Sequence, residues 1–481
     1  MNSASIVWFR QDLRLEDQPA LQAALEHGGP VIPVFIYAPD EEGAWPPGEA
    51  SRWWLHQSLK SLDQQLVTAG SRLVIRSGNS LAELTRLIEE TKATAVFWNR
   101  RYEPASIGRD KKIKAELKSA GLQVESFNGQ LLYEPWEIST KEGRPYQVFT
   151  AFWRACQAKP TPSEPLSAPE HIPVPGRWPR LMKLKDLHLQ PTRPWVQGLE
   201  AAWEPGAASA ARQLDRFLNA PVVGYGQARD LPAERGTSRL SPYLHFGEIS
   251  PRMIWHAVLK RFPRNQELDG GTGPGTFLKE IVWREFAHHL LYHFPATTDQ
   301  PLRDEFARFP WADDPSGLKA WQQGRTGYPI VDAGLRELWQ TGWMHNRVRM
   351  IVASFLVKDL RIGWQQGAAW FWDTLVDADL ANNTLGWQWS AGCGADAAPY
   401  FRVFNPVLQS EKFDPQGTYL RRWLPELQAL PNKWLHAPWA APRDVLRSAQ
   451  VTLGKTYPHP IVDHAQARTL ALEAFQQLRQ R

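Results

Sequence analysis

The sequence contains very little cysteine. Its 481 residues include only Cys156 and Cys393, which lie far apart in the chain. Two thiols cannot build a disulfide framework, and they are too few for a four-cysteine zinc or iron–sulfur site. We therefore expect no metal centre.

Long apolar runs are missing as well. No segment approaches the roughly 18 consecutive apolar residues of a membrane span, and the first residues, MNSASIVWFRQDLRL, lack the basic flank and apolar stretch of a secretion signal. These absences predict a cytoplasmic protein without a membrane segment. The net charge of +5 and the pI of about 9.1 suit a polyanionic partner but do not identify one.

The first part of the chain alternates between short apolar, β-rich runs and helical periodicity. This alternation predicts an α/β domain over residues 1–132, with a doubly wound parallel sheet of five strands. The predicted strands are residues 6–9, 31–37, 72–76, 94–98 and 122–127, and the predicted helices are residues 19–27, 51–69, 81–92 and 109–120. No Gly-x-Gly-x-x-Gly turn follows the first strand, so we do not expect the main cofactor here.

A proline-rich stretch, KPTPSEPLSAPEHIPVPGRWPR, predicts a connecting segment, which we place at residues 133–205. Beyond it the periodicity is almost wholly helical, which predicts an all-α domain over residues 206–481. The predicted helices of this domain are residues 207–219, 251–261, 277–293, 317–323, 332–341, 345–359, 365–375 and 466–480.

Tryptophan is abundant, with 24 residues in the chain. Large aromatic side chains usually serve cores and interfaces, so most of these indoles are expected to be structural. Only their positions can identify the functional ones.

One face of the predicted helix FLKEIVWREFAHHLLYHF combines a carboxylate, an indole and a guanidinium. Helical spacing brings Glu280, Trp283, Arg284 and Ala287 to this face. An ordinary exposed Glu–Arg pair would use the same spacing, so the pattern alone does not prove a site.

Two further stretches carry polar residues among apolar ones. The helix GWMHNRVRMIVASFLVK places Asn346 and Met350 one turn apart. In LVDADLANNTLGWQW, Asp377 and Asp379 precede Asn383, and buried acids need hydrogen-bond donors such as a ribose, a flavin ring or an arginine. A helix N-cap is the alternative explanation for these acids.

The loop GTSRLSPY offers hydroxyl groups and an arginine at residues 237–241, just before a predicted helix. Such groups suit a pyrophosphate. A capping box or an ordinary turn would use similar residues.

Together these stretches resemble the photolyase and cryptochrome family over essentially the whole chain, and most of all its bacterial class III branch. The motifs occur in the order and at the spacing typical of the family. They are WFRQDLRL, GYGQARDLPAERGTSRLSPYLHFGEISPR, WREF, GRTGYPIVDAGLREL, TGWMHNRVRM, DADLANN, GWQW and FNPVLQSEKFDPQGTYLRRWLPEL.

The resemblance implies an FAD held by the helical domain in a folded, U-shaped form. Asn383 would face the flavin N5, and Phe277 stands where relatives have a tryptophan near the cofactor. The residues implied to bind FAD are Tyr225, Thr237, Ser238, Arg239, Leu240, Ser241, Phe277, Glu280, Arg284, Asn346, Asp377, Ala378, Asp379 and Asn383.

The resemblance also implies an activity: blue-light-driven splitting of cyclobutane pyrimidine dimers in UV-damaged DNA, with the dimer flipped into the active site. The implied catalytic residues are Glu280, Trp283, Asn346, Met350 and Asn383. The implied DNA-binding residues are Arg229, Glu280, Trp283, Asn346, Arg347 and Gln409, and the DNA-bound protein would be associated with the nucleoid.

Two light-related features follow from the same resemblance. Trp387, Trp364 and Trp311 match the family's electron-transfer chain to the flavin. The N-terminal domain is expected to hold an antenna chromophore, 5,10-methenyltetrahydrofolate, with a deazaflavin or a second flavin as alternatives. Many folate-binding relatives use an Asn–Glu pair where this chain has residues 104–106, Pro-Ala-Ser, so the resemblance does not identify the folate ligands.

Other functions remain open on the same fold. A cryptochrome photoreceptor is the main alternative, but plant cryptochromes usually have aspartate at the position of Asn383 and lack a methionine at Met350. A (6-4) photolyase would have a histidine pair where His345 is followed by Asn346. A non-catalytic, light-responsive DNA regulator would need a second recognition domain, which is not evident. We expect a monomer.

Overall fold

The structure is a computed structural model, and it describes residues 3–191, 195–263, 271–400 and 402–480. Among these residues, no helix is long and apolar enough to cross a membrane.

The N-terminal region contains the predicted five-stranded parallel sheet. Its strand order, β3-β2-β1-β4-β5, is doubly wound because the chain starts in the middle and extends to both edges. Both β1 and β2 are buried almost throughout, as expected for strands covered on two faces. The strands are β1 Ser5–Phe9, β2 Val31–Tyr37, β3 Val74–Ser77, β4 Ala95–Asn99 and β5 Gln123–Phe127, and the helices between them are α1 Pro19–His27, α2 Glu49–Thr68, α3 Ser80–Thr91 and α4 Pro104–Ser119.

The rest of the described chain is predominantly helical, which confirms the predicted fold class. The helices are α5 Phe149–Gln157, α6 Val196–Ala202, α7 Ala207–Asn219, α8 Tyr225–Ala228, α9 Ser241–His245, α10 Pro251–Arg261, α11 Gly273–His293, α12 Pro315–Gln322, α13 Pro329–Thr341, α14 Asn346–Ser354, α15 Trp364–Thr374, α16 Leu380–Ala391, α17 Pro406–Phe413, α18 Thr418–Trp423, α19 Asn432–Leu435, α20 Arg443–Ser448 and α21 His464–Gln480.

Several boundaries differ from the prediction. Helix α4 begins five residues early, with Pro104 at its first position, where the missing N–H costs nothing. Helix α11 begins at Gly273 because the Thr272 hydroxyl caps the Gly275 N–H at 3.2 Å. The helix predicted over residues 345–359 is α14 followed by a π-helical turn at 355–359. The interval 133–205 contains α5 and α6.

Buried charges join the sheet region to the helical region. The Arg14 guanidinium, fully buried, donates to the Gly247 carbonyl at 2.8 Å and to the Gly129 carbonyl at 2.7 Å. Asp17 pairs with Arg252 at 2.8 Å. One hydrophobic cluster continues from β1 and α2 into α7, α10 and α11. The two regions therefore share a core.

Glu248 is a buried acid at this junction. Its carboxylate accepts hydrogen bonds from Trp54 Nε1 at 3.1 Å and from Ser58 Oγ at 2.5 Å, both on α2. Burial raises the pKa of Glu248 to about 8, although the two donors oppose the shift.

This raised pKa predicts that stability falls between about pH 4.5, where the carboxyl of the unfolded chain ionises, and about pH 8. In that window the unfolded state loses the proton that the folded state keeps. We expect Glu248→Gln to remove up to about 4 kcal/mol of this pH dependence. Urea unfolding from pH 5 to 8 measures it, with the exposed Glu204→Gln as control. Parallel pH profiles of wild type and Glu248→Gln would contradict the prediction.

Candidate functional site

Asp379 lies at the centre of a polar cluster between α9, α11 and α16. It is the N-cap of α16, and its carboxylate accepts from the Asn382 N–H at 2.8 Å. The other oxygen lies 3.5 Å from His288 Nε2 and 3.9 Å from His245 Nδ1. The N-cap explanation is therefore correct, and the same carboxylate also faces two imidazoles.

The electrostatics of the cluster keep Asp379 ionised. Burial opposes ionisation, but the charges and hydrogen bonds of His288, His245 and Arg284 outweigh it, so the pKa of Asp379 is well below its usual range. Arg284 is itself buried on α11, and its guanidinium donates to the Gln130 carbonyl at 2.8 Å. The result is a fixed negative charge that faces two imidazoles and a guanidinium.

The other residues of DADLANN extend this cluster. Both carboxylate oxygens of Asp377 accept from Arg349 Nη2, at 2.8 and 3.0 Å. Ala378 is buried between the two acids. Asn383, one turn into α16, donates from Nδ2 to the Ala368 carbonyl at 3.1 Å.

The loop before α9 presents an arginine held between two indoles. The Arg239 guanidinium carbon lies 4.4 Å from the Trp203 ring centre and 4.8 Å from that of Trp343. Arg239 has a φ of 52°, and its buried Nε has no hydrogen-bond partner among the described residues. Ser241 Oγ accepts from Trp343 Nε1 at 3.4 Å.

The rest of this loop contains an ordinary turn, in which the Ser238 hydroxyl accepts from the Leu240 N–H at 3.4 Å. Thr237 and Ser238 are partly exposed, and the Ser238 carbonyl accepts from Gln213 Nε2 at 2.8 Å. Leu240 is buried at the N-cap of α9 and makes no side-chain cap. The capping-box alternative for this loop is therefore wrong.

Aromatic packing fixes Tyr225 and Phe277. Their ring centres are 5.6 Å apart, and both pack against Phe217, at 5.5 and 4.6 Å. Both side chains are buried. Phe277, which stands where relatives have a tryptophan, is therefore a core residue in this chain.

This set of groups fits FAD. Arg239, whose buried Nε has no partner among the described residues, and the partly exposed Thr237 and Ser238 suit a pyrophosphate. Carboxylates suit the hydroxyl and N–H donors of a ribose and a flavin ring. Arg239, Asp377, Asp379 and Asn383 are the residues that would hold these parts.

Two ion pairs connect the predicted substrate residues. Glu280 pairs with Arg229 at 2.5 Å, and Arg347 pairs with Asp230 at 2.8 Å. Since Arg229 and Asp230 are neighbours, they link α11 to the start of α14. The Glu280–Arg284 pair that helical spacing allowed is not formed, because each residue has another partner.

The start of α14 is a polar surface. Asn346 is exposed, and Met350, one turn on, is partly exposed. Burial lowers the pKa of His345 to about 4, so its neutral imidazole accepts from the Arg347 N–H at 3.2 Å. Gln409 lies partly exposed on α17.

Trp283 is stacked on a residue from α5. Its ring lies parallel to that of Phe149, with an interplanar angle of 6° and ring centres 3.6 Å apart. Trp283 is partly exposed and Phe149 is buried. One face of the indole is therefore covered.

Of the three predicted electron-transfer tryptophans, two are buried and one reaches the surface. Trp387 and Trp364 are buried, on α16 and α15, and Trp311 is partly exposed. Gly367, one turn after Trp364, lies against the ring of Trp387. A β-carbon on Gly363 would lie 3.8 Å from Trp311 Cγ, which places that indole beside the start of α15.

Comparisons with known proteins agree with this arrangement. The family model for the FAD binding domain of DNA photolyase matches residues 277–477, and the model for DNA photolyase matches residues 5–170. The chain is 52% identical over 473 residues to the deoxyribodipyrimidine photo-lyase of Agrobacterium fabrum, covering 98% of this chain and 97% of that protein. The chain belongs to the DNA photolyase family.

Two other relatives define its position in the photolyase family. A crystal structure of a bacterial class III photolyase from Agrobacterium tumefaciens has a TM-score of 0.95 and 50% identity, covering 100% of this chain and 98% of that chain. Cryptochrome-1 of Arabidopsis thaliana is 44% identical over 480 residues, which covers 98% of this chain but 70% of that protein. The predicted resemblance, including its class III branch, is confirmed.

Sequence reasoning missed several residues of this photolyase-family site. His288 lies four residues after Arg284, and this helical spacing could have revealed it. His245, Asp230 and Arg349 reach their partners through tertiary packing and carry no local signal.

Proposed function

We propose that this chain is a deoxyribodipyrimidine photolyase, which splits cyclobutane pyrimidine dimers in UV-damaged DNA under blue light. The observation that carries the proposal is the shared face of α11, where Glu280 and Trp283 lie within one turn of Arg284. Arg284 belongs to the Asp379 cluster, which suits a flavin. A carboxylate and an indole that suit the two linked bases of the dimer thus lie directly beside groups that suit the cofactor.

Each group has a defined task in this proposal. When bound, reduced FAD would supply the light-driven electron transfer that opens the dimer. Arg239 and the loop at 237–241 hold the phosphates, and Asp377, Asp379 and Asn383 orient the ribose and ring. Trp283 stacks on the flipped bases, while Glu280 and Asn346 hydrogen-bond to them. Met350 contributes an apolar wall of the pocket.

DNA binding exchanges partners at the two ion pairs. Phosphates replace the carboxylates on Arg229 and Arg347, and Gln409 adds a neutral contact. The exchange frees Glu280 to accept a hydrogen bond from the dimer. Because the arginines contact phosphates, affinity falls with salt and depends little on sequence.

A cavity lies at the carboxyl ends of β1 and β2, and we assign it to the antenna chromophore. Trp8, Arg10, Tyr37 and Arg109 line it. Trp8 Nε1 and Arg109 Nη2 are buried there without a hydrogen-bond partner among the described residues. Ligands of doubly wound sheets usually bind at these strand ends. Indoles and arginines suit a pterin ring and carboxylates, which favours 5,10-methenyltetrahydrofolate.

We expect Arg109→Gln to lose the folate absorbance of the reconstituted protein and to keep its flavin absorbance. The guanidinium lies over Trp8, 5.2 Å from the ring centre, and also pairs with Glu42 at 3.2 Å. Equilibration with folate followed by gel filtration and spectroscopy measures both chromophores. Arg72→Gln, on an arginine over the unrelated Trp178, is the control. Full folate retention by Arg109→Gln would place the antenna elsewhere.

The function is tested with an oligonucleotide containing one thymine dimer, using reduced protein in blue light and in darkness. We expect repair only in light. Glu280→Ala should weaken repair about fivefold, the effect of about 1 kcal/mol from one lost hydrogen bond, and should retain FAD. Retained flavin without any repair by the wild type would instead favour a cryptochrome photoreceptor.

The organisation of the protein completes the proposal. We propose an antenna domain at 1–132, a connecting segment at 133–205 and a catalytic domain at 206–481. We also propose that the protein acts as a monomer in the cytoplasm, at the nucleoid when bound to DNA.

A further inference from the structure

The indole of Trp283 is restrained by a residue that lies outside the segment matched by the FAD-binding family model. Phe149 is the first residue of α5, in the interval between the sheet and the main helical region. Its ring covers one face of Trp283 at a centre-to-centre distance of 3.6 Å. An indole has two faces, so a ligand can stack only on the other one.

A second aromatic contact fixes the angle of the indole. Phe286 meets Trp283 edge to face at 5.8 Å and meets Phe149 in the same way at 5.8 Å. The three rings therefore hold one another, because neither Phe149 nor Phe286 has space to turn within the buried core. Trp283 thus presents its remaining surface in one orientation.

Phe149 is itself held by the segment that follows α16. Its backbone N–H donates to Asp396 Oδ2 at 3.3 Å, and its side chain is 2% exposed. Since this N–H is at the first position of α5, it has no partner within the helix. The exposed Asp396 side chain thus anchors the end of α5 that carries the stacking ring.

We propose that Phe149 is a positioning residue for substrate binding, which keeps the Trp283 indole ready to stack on a flipped pyrimidine dimer. The inference rests on the proposed function. A flipped dimer loses its stacking in the duplex, and stacking on Trp283 replaces it. If the indole had to become ordered on binding, that ordering would cost part of the binding free energy. Phe149 provides this order in advance, and it contacts neither the substrate nor the cofactor.

Phe149→Leu tests the proposal, with Phe152→Leu as its matched control. Phe152 lies on the same helix and is equally buried, but it packs on Phe286 and His289 rather than on Trp283. Both variants lose the same atoms from the same part of the core. We expect Phe149→Leu to raise KM for dimer-containing DNA about tenfold, with a smaller change in kcat, through lost stacking and ordering. Phe152→Leu should leave KM unchanged.

The measurement is repair under saturating blue light as a function of substrate concentration, together with binding of undamaged DNA and flavin content. Equal KM values for the two variants would overturn the proposal. If Phe149→Leu does not fold, Asp396→Ala is the second test, because this exposed substitution removes the hydrogen bond that anchors the start of α5. We expect Asp396→Ala to raise KM as well. An unchanged KM in Asp396→Ala would also overturn the proposal. Failure of the wild type to repair dimers would instead refute the proposed function.

Discussion

Asp379→Asn is expected to weaken FAD binding by about 10- to 100-fold. Asparagine keeps an oxygen that can cap α16, so the start of the helix is preserved. The substitution removes the negative charge that faces His288, His245 and Arg284. A hydrogen bond to an ionised acceptor stabilises by about 1.5–3 kcal/mol, which sets the expected range.

Titration of the apoprotein with FAD measures this effect. The control is Asp332→Asn, since Asp332 is also buried but accepts from the Thr326 hydroxyl at 2.7 Å and from the Tyr457 hydroxyl at 2.7 Å. The Asp332→Asn substitution should lower the free energy of unfolding and leave FAD affinity unchanged. If both variants lost FAD to the same extent, Asp379 would act through folding alone.

Gly367→Ala is expected to abolish most photoreduction of the flavin and to lower the free energy of unfolding by about 3 kcal/mol. A β-carbon at this position would lie 2.0 Å from Cη2 and 2.4 Å from Cζ3 of Trp387. The buried indole cannot move without disturbing Phe371, whose ring centre is 5.0 Å away. The proposed path from Trp364 to the flavin depends on the position of Trp387.

The matched control is Gly386→Ala, next to Trp387 on α16, where an added β-carbon meets nothing within 4 Å. This control should gain up to about 1 kcal/mol of stability from higher helix propensity. Flavin absorbance under blue light with an external reductant measures photoreduction, and dimer repair by chemically reduced protein shows that the substrate site is intact. If Gly367→Ala photoreduced its flavin as fast as the wild type, Trp387 would be excluded from the electron-transfer path.

The sheet was predictable because its strands carry their own signal. Strands buried on both faces, such as IVWF and VIPVFIY, are continuous apolar runs, and the helices between them have a different period. The errors occur at helix ends. GTGPGT suggests a turn by composition, but α11 begins within it because the Thr272 cap and an early proline are both favourable there.

The site was predictable only where its residues share one element or a familiar motif. Helical spacing placed Glu280, Trp283 and Arg284 on one face, and the structure agrees. The partner of Glu280 is instead Arg229, 51 positions away, and the ring on Trp283 is Phe149. Neither contact follows from spacing, since each depends on how helices far apart in sequence pack together.

The buried charges between the sheet and the helical region have an optical consequence. Excitation passes between two chromophores at a rate that falls steeply with their separation and depends on their mutual angle. Arg14 and the Asp17–Arg252 pair tie the sheet, where an antenna would bind, to the helices that would hold the flavin. A hinge at this junction would let both quantities fluctuate. The shared core would instead fix the separation and the angle when the chain folds, so energy transfer from a bound antenna to the flavin would have one geometry.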